Sequence, residues 1–396
     1  MSSTSPAPAS SFKLAAVFSG GGARAAYQAG FLSGLGRMFP DLPIPYLTGV
    51  SAGAINAAGL AQLSGDLHSR SRALVSAWRQ VELAQVVETG SFHLGRRTTR
   101  WMMRLLSGGR RGGPKPRGLL DTAPLETFLK RSLQCEENGR LQGIGRNLAE
   151  GRLSAVAITA SNYQTGQSVT WVEGEELPSW SRAHRLGVSC PLGIQHIMAS
   201  AALPGLFPAV LVDGHWYGDG GIRLTAPFAP AVHLGADKIL AVSTRQARKP
   251  EIDVGIAPYP PPSLLAGVLL DAIFLDQFDA DALRLERING LLAQQGGDLS
   301  CGLRPVELLV IRPSVDLGAL AQDYELKLPG ALRFMTRGLG TREENPAGLL
   351  SLLMFEPAYV DTLLQVGERD ALACRETLAA FLETTPASAS ADESGA

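Results

Sequence analysis

The residues most able to do chemistry stand in the pattern Gly49-Val50-Ser51-Ala52-Gly53. Apolar residues before it predict a short strand, and alanine-rich residues after it predict a helix. A serine on such a sharp strand-to-helix turn sits in a strained backbone conformation that small neighbours relieve, and the following helix directs its N-terminal N–H groups at the site. This context indicates a nucleophilic Ser51, against the alternative of a glycine-rich loop with an incidental serine.

A second glycine-rich loop lies nearer the N-terminus. Gly20, Gly21 and Gly22 follow the first predicted strand, and Ala23 and Arg24 come directly after them. Glycines expose backbone N–H groups and let a ligand come close, so at the start of a helix they form an anion site. For acyl transfer that site would be an oxyanion hole.

The same loop fits a dinucleotide-binding fingerprint loosely. Gly20, Gly22 and Ala25 occupy its small positions, and Asp41 lies at about the distance of the ribose-binding acid. Asp41 stands between two prolines rather than at the end of a predicted strand, which counts against a nucleotide site.

A third candidate is Asp219, which is flanked by Gly218 on one side and by Gly220 and Gly221 on the other. It follows a hairpin predicted around a turn at Asp213. A carboxylate at a strand end between glycines can face a cleft closely. The alternative is an ordinary turn aspartate, which is the interpretation we give to Asp213.

In this order, the three motifs resemble the patatin-like phospholipase family. The resemblance covers residues 12–243 and includes the segment 199–208, and it departs at Ala25, where many members carry glycine. It implies an α/β fold of three layers, with a central, mostly parallel sheet flanked by helices.

The resemblance also implies a Ser-Asp dyad without histidine, in which Ser51 is the nucleophile and Asp219 the general base. It further implies an oxyanion loop (Gly20, Gly21, Gly22, Ala23, Arg24), a nucleophile elbow (Gly49, Gly53) and an Asp-Gly-Gly motif (Gly220, Gly221). An aspartate with a pKa of about 3.9 is a poor base at neutral pH, so the dyad requires a desolvated carboxyl group. The sequence also allows the alternative of a Ser-His-Asp triad. Its histidine would be His233, the one histidine after Asp219.

Strands alternate with helices over the first 62 residues, which predicts a parallel sheet with crossover helices. A last strand is expected at 306–312, within a C-terminal extension that is otherwise mainly helical. The predicted organisation is a flexible tail (1–11), a catalytic domain (12–248), a Pro-rich linker (249–263), a mainly helical C-terminal region (264–384) and a disordered tail (385–396).

Composition narrows the possible functions. The 36 basic and 37 acidic residues nearly balance, so no nucleic-acid partner is expected. The four cysteines form no CxxC pair, and neither a metal nor an organic cofactor is implied. No apolar run approaches the roughly 18 residues of a membrane span, and the N-terminus does not resemble a secretory signal, so we expect a cytoplasmic protein.

The segment 96–117, from Arg96 to Arg117, is rich in arginine and contains no acidic residue. On a helix its arginines would share a face beside Trp101, a pattern suited to peripheral contact with an anionic membrane. Glycines and a proline interrupt the segment, so a solvated loop is an equal alternative.

The expected activity is hydrolysis of the acyl ester of a phospholipid, lysophospholipid or related lipid. An acyltransferase is an alternative, because the acyl-enzyme step is shared. A non-catalytic lipid- or nucleotide-binding protein with the same fold is another. The sequence carries no signal for headgroup, acyl position or oligomeric state.

Overall fold

The structure, a computed structural model, describes residues 12–88, 118–174, 179–247, 276–294, 303–328, 330, 333 and 347–384. The predicted tails at 1–11 and 385–396, the Pro-rich linker at 249–263 and the arginine-rich segment at 96–117 lie outside these residues. Within the described ranges, no helix combines the length and apolar character that crossing a bilayer requires.

One mixed sheet runs through the molecule. Its strands are β1 (Leu14–Phe18), β2 (Tyr46–Val50), β3 (Ala155–Asn162), β4 (Ser168–Gly174), β5 (Trp180–Arg182), β6 (Arg185–Ser189), β7 (Val210–Val212), β8 (His215–Asp219), β9 (Lys238–Val242) and β10 (Glu307–Ile311). Their order is β10-β9-β1-β2-β3-β4-β6-β5, and the β7–β8 hairpin joins through β8, which pairs with β3. The strands from β10 to β3 are parallel, as the strand–helix alternation predicts.

Helices cover both faces of the sheet. They are α1 (Ala26–Met38), α2 (Ala52–Gln62), α3 (Leu67–Arg79), α4 (Leu83–Val86), α5 (Ala123–Ser132), α6 (Gln142–Ala149), α7 (Ile194–Ser200), α8 (Ala229–His233), α9 (Asp276–Gln294), α10 (Leu317–Leu320), α11 (Ala347–Leu352), α12 (Pro357–Ala373) and α13 (Arg375–Glu383). Short 3-10 helices lie at Gly22–Ala25, Gly220–Ile222 and Ala321–Lys327.

β1 shows why the fold has three layers. Successive side chains of a strand point to opposite faces, so a strand buried on both faces is apolar throughout. Leu14 and Phe18 pack in the larger core with α1 and α2, whereas Ala15 and Val17 pack in a second core with Phe228 and other residues of the α8 side. The sheet is therefore buried between two helical layers, which confirms the predicted fold class.

The described C-terminal residues share this core. The strand expected at 306–312 forms β10 and pairs with β9 at one edge of the sheet. At the start of β9, the buried Lys238 donates from Nζ to the carbonyl oxygen of Phe381 (2.5 Å) and to that of Thr384, and so holds the end of α13. α12 packs along α1, the first helix after the glycine loop.

Gly30→Ala is expected to lower the free energy of unfolding by about 3 kcal/mol, the upper part of the range for overpacked cores. A Cβ atom at Gly30 in α1 would lie 2.1 Å from the carbonyl oxygen of Leu364 in α12, so the two helices would have to separate. Denaturant unfolding measures the change. The matched control is Gly290→Ala, because a Cβ at Gly290 in α9 would meet no atom within 4 Å. Equal stability of the two variants would contradict the tight α1–α12 packing.

Candidate active site

The turn between β2 and α2 places Ser51 in a conformation that residues with a side chain rarely adopt. Its φ is 56° and its ψ is −131°, which is left-handed backbone for a non-glycine residue. The flanking glycines have a steric cause. A Cβ atom at Gly49 would lie 2.3 Å from the Gly53 carbonyl oxygen, and one at Gly53 would lie 2.4 Å from that of Phe18. The turn therefore has the tight strand-to-helix form that the motif predicted.

The edge of β3 brings Ser51 and Asp219 together. Val50 ends β2 opposite Thr159, and Asp219 ends β8 opposite the next residue of β3, Ala160. β2 runs parallel to β3 and β8 runs antiparallel to it, so the two strands end head-on at this point. Since Ser51 directly follows Val50, the two candidate catalytic residues meet at the junction.

Asp219 is fully buried. Its Oδ1 accepts a hydrogen bond from the Gly221 N–H (2.9 Å), whereas its Oδ2 has no hydrogen-bond partner among the described residues. Burial raises the pKa of Asp219 to about 7, and the Ser51 hydroxyl and the Gly221 N–H act in the opposite direction. A carboxyl group that titrates near neutrality is suited to general-base work. Gly220, the other glycine of the motif, begins the 3-10 helix that follows.

Ser200 supports the turn at Ser51 through two hydrogen bonds, and it was not among the residues predicted from the sequence. Its Oγ accepts a hydrogen bond from the Ser51 N–H (2.9 Å) and donates to the Thr159 carbonyl oxygen (2.7 Å). The available signal was its position in the segment 199–208, which the family resemblance included.

The glycine loop lies beside Ser51. A Cβ atom at Gly20 would lie 3.0 Å from the Ser51 Cβ. Thr244 Oγ1 donates to the Gly20 carbonyl oxygen (2.7 Å), and Gln28 Nε2 donates to the Ser19 carbonyl oxygen (2.9 Å). These side chains fix the loop's carbonyl groups. Neither Thr244 nor Gln28 lies in a motif, so the sequence offered no signal for them.

Gly21, Gly22 and Ala23 continue the loop into the 3-10 helix, and Gly22 has a φ of 55°. The Arg24 N–H donates to the Gly21 carbonyl oxygen (3.1 Å), which closes this turn. The Arg24 side chain is buried, and its Nε donates to Ser351 Oγ (2.7 Å). Arg24 therefore joins the loop to the C-terminal helix α11.

An apolar cavity begins at Ser51. One face of α2 lines it lengthwise through Ala52, Ile55, Gly59 and Gln62. From Ala52 to Gln62 that face extends roughly 15 Å at about 1.5 Å per residue. The other walls are mostly apolar and come from α3 (Leu74, Ala77, Trp78), α5 (Leu125, Phe128, Leu129), the segment after α7 (Leu203, Phe207) and the C-terminal region (Leu352, Phe355).

The described histidines are not part of the cavity that begins at Ser51. His233 stacks on Trp180 with ring centroids 5.1 Å apart, and burial together with Arg182 and Arg185 lowers its pKa. None of the five histidines in the described ranges lines the cavity. The geometry therefore favours Asp219 over His233 as the partner of Ser51.

No three His, Cys, Asp or Glu side chains in the described part of the chain are placed to hold a metal ion together. Asp41, the candidate ribose-binding acid, is exposed in the loop between α1 and β2. It does not stand at a strand end, as its neighbouring prolines indicated.

A sequence model of the patatin-like phospholipase family matches residues 16–232, more than half of the chain. The chain belongs to the patatin-like phospholipase family. The match includes Ser51, Asp219 and the glycine loop of this patatin-like chain, and it excludes β9, β10 and the helices from α9 to α13. No curated protein matches this sequence significantly.

The solved structures similar to this patatin-like chain include the following three. Human GIVD cytosolic phospholipase A2, in complex with methyl gamma-linolenyl fluorophosphonate, is 14% identical with a TM-score of 0.49, and the match covers 96% of this chain but 60% of that one. VipD from Legionella pneumophila is 11% identical with a TM-score of 0.35, covering 93% and 67%. The type III effector protein ExoU is 16% identical with a TM-score of 0.27, covering 88% and 78%.

Proposed function

We propose that this chain hydrolyses carboxylic esters of long-chain fatty acids in phospholipids or lysophospholipids. The observation that carries the proposal is the apolar cavity that starts at Ser51, next to the buried Asp219. An extended alkyl chain advances about 1.25 Å per carbon–carbon bond because its bonds zigzag, so the lined face of α2 has the length of a chain of about twelve carbons. Family membership supports a lipid substrate.

The mechanism uses Ser51 and Asp219 in two steps. Ser51 Oγ attacks the ester carbonyl while its proton passes to Asp219 Oδ2, the carboxylate oxygen without a partner among the described residues. N–H groups of the glycine loop stabilise the negative oxygen that develops. Asp219 returns the proton to the leaving alcohol, which gives an acyl-enzyme. Water then attacks this ester, and Asp219 takes the water's proton and delivers it to Ser51.

The test measures free fatty acid released from mixed phospholipid and lysophospholipid vesicles. A lipophilic fluorophosphonate is a second probe, because it forms a covalent adduct with an activated serine that intact mass and peptide mapping locate. We expect fatty acid release and an adduct on Ser51. No release together with no adduct would count against a serine hydrolase. Acyl transfer to an added alcohol without fatty acid release would instead favour the acyltransferase.

The pH profile is expected to follow Asp219. Because burial raises the pKa of Asp219 to about 7, the base is protonated and inactive below that pH. We expect kcat/KM for a soluble p-nitrophenyl ester to rise about tenfold per pH unit up to about 7 and then to level off. Ser51→Ala supplies the background rate at each pH. A native rate that stays constant from pH 5 to 8 would contradict this assignment.

Peripheral contact with an anionic membrane through the segment from Arg96 to Arg117 stays a prediction, because that segment lies outside the described residues. Vesicle flotation tests it directly. Replacement of Arg97, Arg100 and Arg104 by glutamine should reduce binding to anionic vesicles, and unchanged binding would favour the solvated-loop alternative.

A further inference from the structure

A short part of the C-terminal region closes one side of the apolar cavity that begins at Ser51. Residues 351–355, here called the C-terminal wall, comprise the end of α11 and the turn before α12. Leu352 and Phe355 of this wall line the same cavity as Ser51 and Gly22. The wall lies outside residues 16–232, so the family match does not account for it.

Close contact fixes the wall against the glycine loop. A Cβ atom at Gly22 would lie 2.2 Å from the Leu352 carbonyl oxygen, so the wall's backbone touches the loop next to the reacting serine. The buried bond from Arg24 Nε to Ser351 Oγ (2.7 Å) joins the same two segments. Leu352 therefore stands at the reacting end of the cavity.

The helix behind the wall is anchored as well. The Tyr359 hydroxyl in α12 donates to the Leu317 carbonyl oxygen (2.7 Å), and a Cβ atom at Gly367 would lie 2.1 Å from the Tyr27 carbonyl oxygen in α1. Leu352 and Phe355 are themselves buried. Because the wall is packed on both sides, the space that it leaves beside Ser51 has a defined shape.

We propose that the C-terminal wall selects the shape of the acyl group. Leu352 and Phe355 admit an unbranched chain beside Ser51 and exclude acyl groups that branch next to the carbonyl carbon. This inference rests on the proposed ester hydrolysis and adds its selectivity, which it assigns to residues outside the family match. The physical basis is that a packed apolar wall rejects a substituent for which it has no space.

The test compares two isomeric substrates, p-nitrophenyl octanoate and p-nitrophenyl 2-ethylhexanoate. They share a leaving group and a carbon count, and each kcat/KM is divided by the ester's hydroxide-catalysed rate to remove intrinsic reactivity. We expect the native chain to prefer the straight isomer by about 10²-fold. Leu352→Ala and Phe355→Ala should each reduce this preference by about tenfold.

Leu372→Ala is the matched control, because Leu372 lies in α12 but is exposed and does not line the cavity. Should the alanine variants unfold, Leu352→Val and Phe355→Leu make smaller openings in the same wall. Equal normalised rates for the two isomers with the native chain, or an unchanged preference in folded wall variants, would overturn the inference and leave the hydrolase intact. A native chain that hydrolyses neither ester would overturn both.

Discussion

Asp219→Asn is expected to lower kcat by about 10²–10⁴-fold and also to stabilise the protein above pH 7. Asparagine keeps the oxygen that accepts from the Gly221 N–H but cannot take the proton of Ser51. The rate therefore falls without loss of the local hydrogen bond. Steady-state hydrolysis of a soluble ester and denaturant unfolding measure the two effects.

The gain in stability follows from the direction of the pKa shift. Burial raises the pKa of Asp219 from 3.8 to about 7 in the folded chain. Between these values the folded state holds a proton that the unfolded state has lost, so this group reduces stability as pH rises from about 4 to 7. Asp219→Asn removes that loss. We expect the variant to exceed the native chain in stability at pH 8, and the difference to disappear near pH 4.

Asp213→Asn is the control, because Asp213 occupies the exposed hairpin turn between β7 and β8 with a φ of 47°, where asparagine is well tolerated. It should change neither rate nor stability appreciably. Ser51→Ala should abolish turnover, and adding Asp219→Asn should cost little more, because the pair acts as a unit. If Asp219→Asn retains most activity in a folded protein, the dyad is wrong and another base must serve Ser51.

Gly59→Leu is expected to lower kcat/KM for a long-chain ester by roughly 10²-fold relative to a butanoate ester. Gly59 lies about two-thirds of the way along the α2 face that lines the cavity, counted from Ser51, and a Cβ atom there would lie 3.1 Å from Leu74 Cδ1. A larger side chain fills the channel beyond this point. Displacing about four methylenes costs about 3 kcal/mol of burial, which is roughly 10²-fold in rate. A p-nitrophenyl ester series from four to sixteen carbons measures the cutoff.

Two further variants separate a blocked channel from a damaged fold. Gly59→Ala adds a single carbon and should have a small effect. Ala77→Leu enters the same channel from α3, where Ala77 is half-buried, and should reproduce the loss for long chains. If folded Gly59→Leu and Ala77→Leu keep the native chain-length profile, the acyl group binds elsewhere.

The parts of the site that were predictable are those with local stereochemistry. The tight strand-to-helix turn at Ser51 could be recognised because such a turn admits only small neighbours, and the steric contacts of Gly49 and Gly53 show this crowding. The β7–β8 hairpin followed from its Asp-Gly turn. Alternation of short apolar strands with helices predicted the parallel part of the sheet, because crossover connections leave few other arrangements.

The supporting residues were not predictable in this way. Ser200, Thr244 and Gln28 hold the elbow and the glycine loop through hydrogen bonds to residues distant in sequence. A serine, threonine or glutamine has no spacing rule that marks such a partner. Arg24 was predicted as an oxyanion-loop residue, but its contact with Ser351 was not predictable for the same reason. Only this buried hydrogen bond shows that Arg24 joins the loop to α11.

The sequence by itself determined the chemical groups, the turns that present them and the order of strands and helices, because these depend on neighbours along the chain. Tertiary structure decided what the groups can do together. The meeting of β2 and β8 on one edge of β3 places Asp219 at Ser51, and burial at that junction raises its pKa. The apolar cavity likewise exists only where helices from separate parts of the chain pack around α2. The pairing of these strands and the desolvation of Asp219 depend on residues far apart in sequence. Local sequence patterns therefore do not predict them.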